Sequence, residues 1–183
     1  MLAARRRVDV GLHAAEAALL ATHLAELVSR PATVCAYVPV GSEPGSIDML
    51  DGLRGAGARV LLPITAVSKP DATPLPLQWA EYQPGALVKA RFGLLEPATA
   101  RLPHTAIASA AVVVIPALAV DRHGVRLGRG AGFYDRSLPF RDQAAMLVAV
   151  VRDAELVEEL PAEAHDIAMT HAVTPGRGVV AFG

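Results

Sequence analysis

One cysteine, Cys35, stands among 183 residues, so no internal disulfide framework is available and a reducing compartment fits. Cys35 lies in the strand-like run "TVCAYVP", where a buried structural thiol is expected rather than a nucleophile. Net charge is nearly absent as well. The formal value is -1, which argues against bulk binding to nucleic acid. The longest apolar run, "IASAAVVVIPALAV", is too short to span a bilayer and holds a proline. No apolar stretch follows the arginines of "MLAARRRVDV", as a signal peptide would require. These absences predict a cytoplasmic protein with neither membrane nor nucleic acid as partner. Apolar residues, in contrast, are plentiful. They make up 52% of the chain against 19% charged, which excludes disorder and suits a single domain over 1–183.

Helical and strand-like segments alternate along the chain. Leu12, Leu19, Leu20, Leu24 and Leu27 recur at helical spacing and predict a helix from Gly11 to Arg30, stopped by Pro31. "TVCAYVPV" reads as a strand covered on both faces, "GSEPGS" as a loop, and Ile47–Arg54 as a helix capped by Ser46. "ARVLLPI" predicts a second buried strand, 65–76 a loop, and "LQWAEY" a half-exposed strand. The strongest buried strand is expected at Ala111–Val120. Another lies in "RDQAAMLVAVVRD", followed by a short helix at Ala154–Leu160, and two short strands close the chain in "IAMTHAVTP" and "GVVAF". This order favours an α/β fold with a largely parallel sheet.

The stretch "RLGRGAGFYDRSL" follows the strongest strand. Parallel sheets bind ligands beyond the carboxyl ends of their strands, and glycines let backbone come close to a ligand. Successive N–H groups could converge on anionic oxygens, with Arg126 and Arg129 adding charge-assisted contacts to phosphate. Asp135 would face a phosphate only across a metal, and a hard Mg²⁺ fits that need. The spacing is G-x-G-x-G, neither a dinucleotide fingerprint nor a P-loop. Spacing alone therefore leaves a tight loop with solvated arginines equally open.

The string itself is more specific. "VVVIPALAVDRHGVRLGRGAGFYDR" resembles the C-terminal signature of the 5-formyltetrahydrofolate cyclo-ligase family, also called 5,10-methenyltetrahydrofolate synthetases. "YVPVGSEPGS", "LLP", "FGLLEP" and "HDIAMTHAVTP" stand in the family's order, so the resemblance covers about Thr33 to Pro175. It implies a Rossmann-like three-layer sandwich with a mostly parallel central sheet. It also implies ATP- and Mg²⁺-dependent conversion of 5-formyltetrahydrofolate to 5,10-methenyltetrahydrofolate by a monomer. Arg126, Leu127, Gly128, Arg129, Gly130, Ala131, Gly132, Phe133 and Tyr134 would line ATP, with Arg129 and Tyr134 catalytic. Arg129 to Phe133 would also border the folate. Glu43 would accept N–H groups of the pterin, and Val38 would form an apolar wall. Asp135 and Asp166 would be the metal-linked carboxylates, against plainer alternatives of a helix cap and a loop turn. His165 is expected to be a surface or orienting residue outside the metal set. Tyr37, Trp79 and Phe92 are expected in the core more than stacked on folate. Glu96 either orients substrate or pins the loop before Pro97.

The resemblance fails at the start. The family's first helix carries a basic pair, K-x-x-x-R, and "MLAARRRVDVGL" resembles the later part of that helix without the lysine. Arg5, Arg6 and Arg7 would replace the pair in part or form a solvated helix start. Without the lysine, a non-catalytic folate- or nucleotide-binding protein is the alternative on the same fold. Ala131 stands where glycine or a long residue is common and is expected to do little harm if its φ is negative.

Overall fold

The computed structural model describes the chain except residues 29–30, 69–70 and 164–165, and describes only the backbone of Phe92. Among the described residues, an eight-stranded sheet organises the molecule. Its centre is built from β1 (Thr33–Cys35), β2 (Arg59–Ile64), β7 (Ala110–Pro116), β10 (Met146–Val150) and β12 (His171–Thr174), ordered β12-β10-β7-β1-β2 and all parallel. Antiparallel strands β3 (Gln78–Glu81) and β6 (Arg101–Leu102) extend one edge, and β13 (Gly178–Ala181) closes the other. The hairpin β4 (Leu87–Lys89) and β5 (Leu95–Pro97) stands apart. So does a small sheet of β8 (Ala119–Asp121), β9 (Arg126–Leu127) and β11 (Leu156–Val157).

Period-2 alternation sorts the parallel strands onto two cores. Val34, Val60, Leu62, Val112, Val114, Val148 and Val150 point to one side. They meet Leu20 and Leu24 of α2 (Val10–Glu26) and Met49, Leu50 and Leu53 of α3 (Asp48–Gly55). Cys35, Leu61, Val113, Ile115, Leu147 and Ala149 point to the other side, against Ile107, Leu138, Trp79 and Met169. That second layer consists of 3₁₀ turns at His104–Ser109 and Leu138–Phe140 and the short α4 (Phe133–Ser137) rather than long helices. The mixed α/β class and the mostly parallel sheet are as the sequence predicts.

Several local expectations are corrected. The helix predicted to Arg30 ends at Glu26, and it begins where Asp9 accepts the N–H groups of Gly11 and Leu12. Leu12 and Leu19 are exposed, because the face toward α3 is set by Ala17, Leu20 and Leu24. Ser46 accepts the N–H of Asp48 at the start of α3, one residue later than predicted. "LQWAEY" is not half-exposed: Trp79 and Ala80, on opposite faces, are both buried, Trp79 within the second core against the turn at His104–Ser109. The run 111–120 is two strands, since Pro116 ends β7 and β8 turns into the small sheet. Ala154–Leu160 is a 3₁₀ turn at Asp153–Glu155 followed by β11, because Val157 pairs with Asp121 instead of continuing a helix.

Arg5, expected to be solvated or to face phosphate, is 3% exposed at the end of α1 (Leu2–Arg5). Its Nε and NH2 donate to Glu155 Oε1 and Oε2 at 2.6 and 2.7 Å, and NH2 also donates to the Ala117 carbonyl at 2.6 Å. Arg6 and Arg7 remain exposed. No helix among the described residues is long and apolar enough to cross a membrane.

Candidate active site

The order β12-β10-β7-β1-β2 reverses between β1 and β7. Such a reversal leaves a crevice outside the carboxyl ends of the two strands, where chains leave the sheet in opposite directions. The chain leaving β1 carries Glu43. The chain leaving β7 passes through β8 and β9 and carries the glycine-rich stretch. Residues more than eighty positions apart are thereby brought together: Arg129 NH1 lies 3.6 Å from Glu43 Oε1.

Glu43 is 7% exposed, and its Oε2 accepts the N–H of Val40 at 2.9 Å. Burial pushes its carboxyl above the ordinary range, opposed by the Val40 N–H and the charges of Arg129 and Arg5. Tyr37, buried, donates its hydroxyl to the Pro44 carbonyl at 3.3 Å and so fastens the far side of the same loop. Val38 is buried in the α2/α3 core. Trp79 is likewise a core residue, whereas the Phe92 side chain and His165 lie outside the described residues.

The glycine-rich stretch is open from Leu127 to Ala131. Gly130 and Gly132 are left-handed, at φ 84° and 70°, and Ala131 between them is not, so its replacement of glycine carries no strain. That alternation can turn successive N–H groups to one side. Phe133 and Tyr134 pack on the second core and anchor the stretch. The Tyr134 hydroxyl is buried and has no hydrogen-bond partner among the described residues. Burial first, with the nearby Glu43 carboxylate adding to it, pushes its phenol well up, so it stays protonated as a donor.

The two arginines of the stretch differ. Arg126 is committed: it forms an ion pair with Asp135 and donates to the Ile167 carbonyl at 2.9 Å. Arg129 is half exposed and is the cation that faces Glu43. Asp135 is not a cap: it lies inside the first turn of α4, whose N-cap is Gly132 with no side-chain cap. Asp166 Oδ2 accepts the Glu163 N–H at 2.8 Å, which makes a local turn. The segment following Asp166 is held beside Asp135 through Arg126.

Among the described residues no three His, Cys, Asp or Glu side chains converge as a metal cage. Mg²⁺ does not require one, because it keeps several waters and takes one or two carboxylates together with substrate phosphates. Asp135, with a side chain 39% exposed beside the open glycine stretch, fits such a shared ion.

Of the two roles open for Glu96, the structure shows a fastener: its Oε1 accepts from the Thr65 N–H and hydroxyl at 2.9 and 2.8 Å and pins the end of β2 to β5. Two further features were not apparent from the residues. Asp121 is buried and accepts from the N–H groups of His123, Val125 and Leu160, which fixes the turn leading into the glycine stretch. Arg152 and Glu155 tie the carboxyl end of β10 to both N-terminal helices. An arginine or aspartate in a loop carries no mark of its burial, and only the partners reveal it.

The sequence profile of the 5-formyltetrahydrofolate cyclo-ligase family matches residues 1–175. A 5-formyltetrahydrofolate cyclo-ligase of Mycolicibacterium smegmatis is 56% identical over 184 aligned residues, covering 100% of this chain and 93% of that protein. The Escherichia coli K12 cyclo-ligase is 31% identical over 147 residues, 79% of each chain. In fold, the chain resembles the Aquifex aeolicus 5,10-methenyltetrahydrofolate synthetase with a TM-score of 0.73 at 24% identity, covering 98% of this chain and 88% of that one. The Mycoplasma pneumoniae 5,10-methenyltetrahydrofolate synthetase gives 0.68 at 16% identity, covering 92% and 90%. Profile, sequence relatives and fold agree, and the chain belongs to the 5-formyltetrahydrofolate cyclo-ligase family.

Proposed function

We propose that this protein is a 5-formyltetrahydrofolate cyclo-ligase, converting 5-formyltetrahydrofolate and ATP to 5,10-methenyltetrahydrofolate, ADP and phosphate in a cytoplasmic setting. The observation that carries the reading is the meeting of buried Glu43 with Arg129 of the glycine stretch at the reversal of the sheet. The formyl oxygen on N5 is a poor leaving group. It attacks the γ-phosphorus as the bond to the β-phosphate oxygen breaks, and ADP departs. N10 then adds to the activated formyl carbon, its proton is lost, and the C–O bond breaks to release phosphate.

Both steps depend on alignment and charge neutralisation more than on a protein nucleophile. The glycine stretch, with its left-handed Gly130 and Gly132, lies along the phosphates. Arg129 exchanges Glu43 for the transferring phosphoryl group, and Glu43 accepts N–H groups of the pterin. The Tyr134 hydroxyl, buried and unsatisfied, donates to an oxygen of the bound substrates. Asp135 would hold Mg²⁺, which supplies charge neutralisation at the phosphates, with Asp166 on the segment that Arg126 keeps nearby. Arg126 orients Asp135 rather than meeting phosphate itself.

The test mixes purified protein with Mg·ATP and 5-formyltetrahydrofolate and follows the near-ultraviolet absorbance of methenyl-tetrahydrofolate. Product that requires ATP is expected. No product, or product without ATP, overturns the assignment.

A further inference from the structure

Arg152 stands just past the carboxyl end of β10, and its guanidinium is tied to two distant parts of the chain although the residue is only 8% exposed. Nε donates to Glu16 Oε2 at 2.6 Å, and NH2 lies 3.0 Å from His13 Nδ1. An arginine has no acceptor, so Nδ1 of His13 is the acceptor there and the neutral ring carries its proton on Nε2. His13 and Glu16 are three residues apart on α2 and share one face. The remaining arm, NH1, donates to the carbonyl of Ser42 at 3.3 Å.

Ser42 directly precedes Glu43, inside a tight turn. The Glu43 N–H donates to the Val40 carbonyl at 3.2 Å, and the Glu43 carboxylate folds back on the Val40 N–H. In so short a turn, the Ser42 carbonyl and the Glu43 side chain move together. Arg152 is itself immobilised: its N–H donates to Glu155 Oε2 at 2.8 Å, and Arg5 holds both oxygens of Glu155. The turn is thus held from one side by Tyr37 and from the other by Arg152, whose own position is set by α1 and α2.

We propose that Arg152, braced by His13 and Glu16, is a positioning residue for the Glu43 carboxylate and therefore governs folate affinity without touching folate or ATP. This rests on the reading of Glu43 as the pterin acceptor. Apart from the Arg129–Glu43 ion pair, the glycine stretch is anchored separately, through Asp121, Arg126 and α4, so the effect falls mainly on one substrate.

The experiment measures KM for each substrate and kcat in wild type, Arg152→Met, Arg152→Lys and His13→Ala. It also measures direct binding of 5-formyltetrahydrofolate by calorimetry without ATP. Loss of a charge-assisted hydrogen bond raises the folate KM and Kd about tenfold in Arg152→Met. The ATP KM stays within about twofold, as does kcat, because neither depends on the Ser42 carbonyl. Lysine presents one ammonium in place of a planar fork and rescues only part of the affinity. His13→Ala, which leaves the other two contacts, raises the folate KM less. Equal rises in both KM values, or lower thermal stability with unchanged folate binding, make Arg152 merely structural and overturn the proposal. If Arg152→Met does not fold, unchanged folate binding in both Arg152→Lys and His13→Ala overturns it equally. A wild type that binds folate without turnover overturns the catalytic reading alone, and the calorimetric comparison still decides the role of Arg152. A wild type that does not bind folate overturns both.

Discussion

The guanidinium of Arg129 lies 3.6 Å from the carboxylate of Glu43, joining an open loop to a buried acid across the reversal of the sheet. Each neutralises the other where two charged substrates are proposed to meet. On the proposed reading, substrate binding would exchange one ion pair for two sets of contacts, pterin on Glu43 and phosphate on Arg129. That exchange would keep the buried Glu43 carboxylate paired, and an unpaired buried charge is costly.

A pH dependence follows from the burial of Glu43. Its carboxyl is held above the ordinary range, so folding disfavours its ionised form. A carboxyl raised in this way contributes stability below its unfolded value, and that contribution is lost as pH rises through the folded value. Glu43→Gln is therefore expected to leave neutral-pH stability unchanged or raised while weakening folate binding about tenfold or more. In wild type, folate KM rises as pH falls through the elevated value. Because Arg129 lowers that value, Arg129→Ala shifts the rise to higher pH. Folate KM profiles against pH, paired with thermal melts, check both statements, and a pH-independent folate KM would refute them.

Asp135 tests the metal. Asp135→Asn keeps the shape and one acceptor oxygen but removes the charge, and its partial exposure leaves the fold intact. Turnover is expected to fall about a hundredfold, as loss of a few kcal/mol of transition-state charge stabilisation implies. Higher Mg²⁺ should restore part of it. Wild-type rates at ordinary Mg²⁺ would remove Asp135 from the site.

Two glycines of the signature separate space from function. A Cβ at Gly128 meets nothing, and its backbone is not left-handed. Gly128→Ala is expected to keep stability within about 0.5 kcal/mol while raising the ATP KM, because the new methyl stands where phosphate is proposed to approach. Gly124 has φ 81°, and a Cβ there would run into the backbone of Met169. Gly124→Ala should cost more than about 1 kcal/mol. Urea denaturation and ATP kinetics distinguish the pair. A Gly128→Ala enzyme with wild-type ATP kinetics would place the phosphates elsewhere.

The Arg5–Glu155 pair predicts a stability effect. Arg5→Met leaves the Glu155 carboxylate buried beside an apolar chain, which typically costs about 3–5 kcal/mol. Adding Glu155→Leu should recover much of that loss but not all, since the Arg152 N–H loses its acceptor. Denaturation of the two single variants and the double measures this coupling, and additive losses would contradict it.

Much of this architecture was legible in advance, because its physical causes are local. The runs in β7 and β10 are apolar at successive positions, as strands covered on both faces must be, and they form the centre of the sheet. The glycine-rich signature and Glu43 stood out through their resemblance to the family pattern, and the fold brings them together at the reversal of the sheet. Pro116 could also have been read as the end of β7, since it was visible within the run 111–120.

The remaining features depend on pairings between distant positions. Whether Arg126 meets phosphate or Asp135, and whether Arg5 is solvated or buried against Glu155, is set by which strand ends lie side by side. The same proximity turned the expected helix at Ala154–Leu160 into an edge strand beside β8. Sequence alone determined the central parallel strands, their apolar faces and the chemical kinds of residue in the candidate site, since periodicity and side-chain chemistry act over a few neighbours. Only the tertiary structure decided how the charges pair, because a salt bridge depends on distances that the whole fold must close.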